Sequence, residues 1–126
     1  RDELSDTVGY RIAGPHKTLL YIPDTEPWDR WSDRFDAALE GVDIALLDAT
    51  FYSGDELGGR PTSSIGHPLV IDTVARLQDR VARGELEVVL IHLNHSNPLL
   101  DATSEEASRL RTQGFRIARE GEEIKL

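Results

Sequence analysis

Apolar residues in this chain recur with two different periods. Along residues 7–13 (TVGYRIA) they alternate, with Val8, Tyr10 and Ile12 on one side, the signature of a half-buried strand. Gly14-Pro15-His16-Lys17 is turn chemistry, and residues 18–22 return as a second strand, so the pair predicts a hairpin. Over residues 27–39 the period lengthens. Trp28, Trp31, Phe35 and Leu39 fall on one helical face, with Thr25 as the expected cap and Gly41 as the stop. Residues 42–47 (VDIALL) form a short apolar run, the pattern of a strand covered on both faces. The pattern then lapses over residues 49–66, which are rich in Gly, Ser and Thr and read as loop.

Periodicity resumes at Pro68, the expected opening of a helix whose stripe is Val70, Val74, Leu77 and Val81, stopped by Gly84. Residues 86–93 (LEVVLIHL) predict a third apolar strand. Thr103 with Glu106 predicts a capping box for a helix carrying Ala107 and Leu110 and ending at Gly114. Two short terminal strands, 115–119 and 122–126, are expected to turn at Gly121. Strands alternating with helices place the chain in the α/β class, with no repeat or low-complexity tract.

Composition narrows the function classes. The 126 residues carry a net charge of −9, so a phosphate backbone is repelled and a nucleic-acid partner is disfavoured. There is no cysteine, which removes disulfides and thiolate metal sites. No apolar run approaches membrane-spanning length and no secretory signal pattern appears, so a soluble, cytoplasmic protein is the default expectation. The chain starts at Arg1 and contains no methionine, which suggests a piece of a longer protein.

The candidate chemistry sits where apolar strands stop: one ends at Asp24, the next at Asp48 and the third at His92. Strands lying side by side would line these residues along one carboxyl edge, where α/β sheets bind ligands. Two carboxylates and an imidazole there suit a divalent metal or an acid–base pair, and His67, at the end of the loop, can reach the same edge. Each has a plainer reading. Asp24 in Pro-Asp-Thr and Asp48 serve equally well as turn or capping aspartates, and His67 before Pro68 as a loop histidine. His92 is the hardest to dismiss. It follows VVLI and precedes Asn94, His95, Ser96 and Asn97, a polar cluster that needs a polar neighbour if buried. His16 belongs to the hairpin turn, and Trp28, Trp31 and Phe35 belong to a helix face. Gly58-Gly59 lacks a following phosphate-binding helix pattern, and no nucleophile elbow is present.

In order, PDT, LLDATF, GHP and IHLNHSNP resemble the second half of a metallo-β-lactamase-fold hydrolase. DATFYSGDEL, SIGHP, IHLNHSNPLL and the ending GFRIAREGEEIKL resemble most closely the branch around coenzyme PQQ synthesis protein B. The resemblance implies an αββα sandwich of which this chain supplies about one half, with an N-terminal half holding the His-x-His-x-Asp-His motif that is absent here. It implies Asp24 as the carboxylate bridging two metal ions and His92 as the last metal ligand. Asp48 and His67 match the positions where related tRNA-processing nucleases carry an acidic residue, usually Glu, and a histidine that assist proton transfer. Asp24 also likens the chain to a metal-competent hydrolase, since many PQQ synthesis B proteins lack that aspartate.

The implied cofactors are two divalent ions, zinc first and iron or manganese as alternatives. The implied partners are a small-molecule substrate and the missing half of the fold, with a homodimer allowed. The leading expectation is a metallohydrolase acting on a small ester-like or phosphodiester substrate, this piece alone being inactive because two ligands are too few for a tight zinc site. The alternatives are iron-dependent oxidation of an amino-acid-derived precursor in PQQ-like cofactor synthesis, and a non-catalytic α/β module. The last expects the Asp24 and His92 side chains to point apart.

Overall fold

The computed structural model describes residues 8–31, 33–59, 61 and 66–126. The RDELSD lead, Thr7, Ser32 in the expected helix and residues 60 and 62–65 of the expected loop lie outside the described residues. Among the described residues five strands stand side by side in chain order: β1 (Tyr10–Ala13), β2 (Thr18–Ile22), β3 (Ile44–Asp48), β4 (Glu87–Ile91) and β5 (Arg116–Ile117). The turn at 14–17 makes β1 and β2 the expected antiparallel hairpin, with Tyr10 opposite Tyr21 and Ala13 opposite Thr18. The remaining pairs are parallel. Their crossovers carry α1 (Asp33–Ala38), α2 (Val70–Ala82) and α3 (Glu105–Thr112). Because the strand order advances steadily, right-handed crossovers put all three helices on one face.

That face is a closed core. Leu20 and Ile22 of β2, Ala45 and Leu47 of β3, and Val88 and Leu90 of β4 pack with Phe35, Leu77 and Leu110 of the helices, all buried. On the opposite face Leu19, Ile44 and Val89 are buried under Tyr21, Leu46 and the C-terminal Ala118, Ile124 and Leu126. The tail passes so close to the hairpin turn that a Cβ on Gly14 would sit 2.2 Å from that of Leu126. Toward β1 this face opens. Val8, Tyr10 and Ile12, expected to be half-buried, are 58%, 58% and 47% exposed, because β1 is the edge strand and no described residue covers it.

Other expectations need correction. The helix over 27–39 resolves into a 3-10 turn, Trp28–Arg30, and the short α1. The tight turn lets both indole N–H groups reach acceptors, Trp28 to the Thr73 hydroxyl at 2.8 Å and Trp31 to the Thr25 hydroxyl at 2.9 Å. Thr25 is therefore an acceptor for Trp31 and not the cap, which is Pro27 without a side-chain bond. Trp28 stacks on Phe35 at 4.1 Å between centroids, so the aromatic residues do form core. The second helix begins at Val70, its first amides taken by loop carbonyls, Val70 N–H to Phe51 and Ile71 N–H to Tyr52. The α3 cap is Ser104, whose hydroxyl accepts from Ala107 N–H, while Thr103 turns to Asp101. Of the two terminal strands only Arg116–Ile117 pairs, and residues 122–126 form no strand, being held by side-chain packing instead.

Candidate metal centre

Parallel β2, β3 and β4 are adjacent, so their carboxyl ends form one edge. Asp24 lies two residues beyond the end of β2, Asp48 is the last residue of β3, and His92 directly follows β4. His67 arrives from the segment leading into α2, which the Phe51–Leu69 bridge ties to the chain after β3. One ligand atom from each of Asp24, Asp48, His67 and His92 lies within 4.8 Å of all the others. Two imidazoles and two carboxylates are donors that zinc, iron and manganese accept. The Asp24 and His92 side chains converge, where a non-catalytic module is expected to have them point apart.

The two carboxylates are held very differently. Asp48 is fully buried, and its two oxygens accept four hydrogen bonds. Oδ1 takes Thr50 N–H at 2.8 Å and the Thr50 hydroxyl at 2.6 Å. Oδ2 takes Thr25 N–H at 3.0 Å and faces His67 Nδ1 at 2.8 Å. A carboxylate offers about four lone-pair directions, so these partners occupy it. Asp48 ties together the chain after β2, the chain after β3 and the loop bearing His67. The Asp24 side chain is 43% exposed and its Oδ1 lies 3.6 Å from His67 Nδ1.

The hydrogen-bond pattern assigns the histidine tautomers. An ionised carboxylate only accepts, so His67 Nδ1 carries a proton toward Asp48 and its lone pair is on Nε2. The Thr50 hydroxyl donates its hydrogen bond to Asp48, so in its contact with His92 Nδ1, 2.9 Å away, the imidazole nitrogen is the donor. The two rings lie 5.8 Å apart at 31°, and Phe51 meets His67 edge-on at 6.1 Å. His92 has φ of 60°, the left-handed region, alone among non-glycine described residues. A β4 that simply ran on would not need this; strain of this kind, roughly 1–3 kcal/mol, clusters where a side chain must be aimed.

One residue escaped the sequence. Thr50 stands between all three of Asp48, His67 and His92, and its only local signal was a hydroxyl two positions after an aspartate. Asn97 is 2% exposed; its amide donates to the Ala49 carbonyl at 2.7 Å and the Thr50 carbonyl at 3.3 Å, and its oxygen accepts Leu99 N–H. The polar cluster after His92 thus buries Asn97 against backbone, while His95 stays exposed, as does His16 in the hairpin turn. Ser96 donates to Glu56 at 3.2 Å, and Glu56 and Ser53 form a capping box on the 3-10 turn Gly54–Leu57, an ordered piece of the expected loop.

Comparison with known proteins decides the family. A profile of the Beta-lactamase superfamily domain matches residues 1–92. The chain belongs to this superfamily. Curated relatives that it resembles include coenzyme PQQ synthesis proteins B. That of Xanthomonas campestris pv. campestris (strain B100) is 31% identical across 96% of this chain and 41% of its own length. That of Azotobacter vinelandii is 33% identical across 86% of this chain and 36% of its own. The chain therefore spans well under half of the relatives it matches. Among solved structures, zinc-bound PqqB from Methylobacterium extorquens superposes with a TM-score of 0.77 at 27% identity, covering 95% of this chain and 44% of that one. YhfI from Bacillus subtilis, a metallo-β-lactamase-fold protein, superposes with a TM-score of 0.54 at 22% identity and shares the fold. This superfamily member is thus a PqqB-like part of the metallo-β-lactamase fold, with a donor set suited to a divalent metal. Among its described residues no helix is long and apolar enough to cross a membrane.

Proposed function

We propose that this chain carries the C-terminal share of the metal centre of a metallohydrolase, with Asp24 and His92 as metal ligands and Asp48 and His67 as the proton-handling pair. The observation that carries the reading is the convergence of all four side chains on one sheet edge while Asp48, saturated by hydrogen bonds, is spent on orienting His67. Asp24 and His92 supply two donors, and a tight zinc site needs three or four, so the remaining ligands come from an N-terminal half of the same fold. The open apolar face at Tyr10 and Ile12 is where that half would pack.

When bound, the metal lowers the pKa of a water molecule and makes hydroxide accessible near neutral pH. Asp24, the more exposed carboxylate, would be a ligand to the metal when it is bound. Asp48 would keep the His67 Nδ1 proton in place, so that the Nε2 lone pair could take the proton released by the attacking water and hand it on to the leaving oxygen of a small ester or phosphodiester. The net charge of −9 disfavours a long nucleic acid.

The relatives favour a second reading. Their names place them in PQQ synthesis, and the same ligands would serve an iron-dependent oxidation of an amino-acid-derived precursor. Metal analysis of the intact protein separates the two. Zinc with ester or phosphodiester cleavage supports hydrolysis; iron with substrate-dependent oxygen uptake supports oxidation. In either case His92→Ala should lose most of the bound metal, and full stoichiometry in that variant would remove His92 from the ligand set.

A further inference from the structure

Asp48 and His92 do not touch: Asp48 Oδ1 and His92 Nδ1 are 3.8 Å apart, beyond a hydrogen bond. The Thr50 hydroxyl lies between them, 2.6 Å from the carboxylate and 2.9 Å from the imidazole, and it is also 3.0 Å from His67 Nδ1. A hydroxyl has one proton and two lone pairs. The proton goes to the buried carboxylate, the shortest and only ionic contact of the three. Both lone pairs then face imidazole nitrogens, and neither contact is a hydrogen bond unless that nitrogen carries a proton.

We propose that Thr50 is a positioning residue which sets the Nδ1–H tautomer and ring direction of His92, and seconds Asp48 in doing so for His67. Both rings thereby direct the Nε2 lone pair away from Asp48. The role rests on the metal-centre reading above, since it is a ligand whose orientation Thr50 controls. Several features suit it. Thr50 is 7% exposed, so water is a poor substitute for its hydroxyl. Its branched side chain has few χ1 choices. Its backbone is pinned as well, the carbonyl accepting from Asn94 N–H at 3.0 Å and from the Asn97 amide, and its N–H donating to Asp48. His92, with its left-handed backbone, would otherwise be aimed by strain alone.

The molecule contains its own control. Asp101-Ala102-Thr103 repeats the tripeptide Asp48-Ala49-Thr50 and its local bonds, Thr103 N–H and hydroxyl reaching Asp101 Oδ1 at 2.8 and 2.6 Å. No described histidine is bonded to that hydroxyl. Thr50→Val keeps the shape and removes the hydroxyl, Thr50→Ser restores it, and Thr103→Val removes the same hydroxyl where no ring depends on it.

The test is made on the intact protein with two readouts: zinc affinity by chelator competition, and the nitrogen-15 shifts of the neutral imidazoles without metal. The zinc-free wild type should show His92 protonated at Nδ1. Thr50→Val should shift that ring toward the Nε2–H form and weaken zinc roughly 10- to 100-fold. Thr50→Ser should restore both, and Thr103→Val should change neither. An Nε2–H tautomer for His92 in the wild type overturns the proposal without any variant, and so protects the test against a Thr50→Val chain that fails to fold. Wild-type affinity and tautomer in Thr50→Val, or equal loss in Thr50→Ser, also overturn it. A wild type that binds no zinc, iron or manganese would instead overturn the metal-centre reading, while the tautomer measurement still decides what Thr50 does.

Discussion

The sequence Asp-Ala-Thr occurs twice, at 48–50 and at 101–103, and folds the same way both times: the threonine N–H and hydroxyl close on one aspartate oxygen at 2.8 and 2.6 Å. What surrounds the two turns is entirely different. The first sits at the carboxyl end of β3 with neighbours on both sides in the sheet, and its aspartate is fully buried beneath Thr25 N–H and the His67 imidazole. The second follows a 3-10 turn, Pro98–Leu100, and faces solvent ahead of α3. Local chemistry makes a turn in each place. Parallel strands on either side set the first apart, because they deliver Asp24 and His92 to the same edge.

The contrast predicts that removing the two aspartates has very different costs. Asp48→Ala strands Thr25 N–H and Thr50 N–H in a buried setting and releases His67, and each unmet buried donor costs on the order of 1–3 kcal/mol. We expect a loss of about 2–4 kcal/mol in denaturant unfolding, with metal binding falling alongside. A loss below about 1 kcal/mol would mean that Asp48 is not the tie between the three segments.

Asp24 sharpens the comparison from the side of function. Its side chain is 43% exposed, so Asp24→Ala should move stability by no more than about 0.5 kcal/mol. Metal affinity, measured on the same preparation, should fall roughly tenfold or more. Two carboxylates at neighbouring strand ends would then separate into one that holds the fold and one that holds the ion. Equal effects on stability would erase the distinction.

The residues differ in how much of this was legible. The hairpin and the α/β alternation could be read because period and turn chemistry are local, and Asp24, Asp48, His67 and His92 stood out because apolar strands ended on them. Thr50 was invisible, since its partners His67 and His92 are 17 and 42 residues away and nothing in the sequence gives those distances in space. The Tyr10 and Ile12 face was misread for a related reason: alternation reports that a strand has an apolar side, not whether the covering layer is among the residues present. Residues 122–126 have strand-like composition, but pairing requires an edge to pair with, and the tail packs across the sheet face instead. Thr103 and Ser104 are equally good caps by type. Asp101 takes the first, leaving the second to α3.

The smallest effect belongs to Asp101. The Thr103 hydroxyl, and after it the Thr103 N–H, hold the Asp101 carboxyl below its ordinary value of 3.8. A carboxyl whose folded value is depressed adds stability above the unfolded value and loses it as the pH falls through the folded one. Asp101→Asn, which cannot ionise, should therefore differ slightly from the wild type in thermal midpoint at neutral pH. The difference should close as the pH drops below 3.8, and zinc affinity should not change at any pH where the protein is folded. Thr103→Val should reproduce the same small, acid-sensitive shift by removing the bond that causes it. A change in metal affinity in either variant would show that the exposed turn communicates with the buried one. It would end the contrast drawn between two copies of one tripeptide.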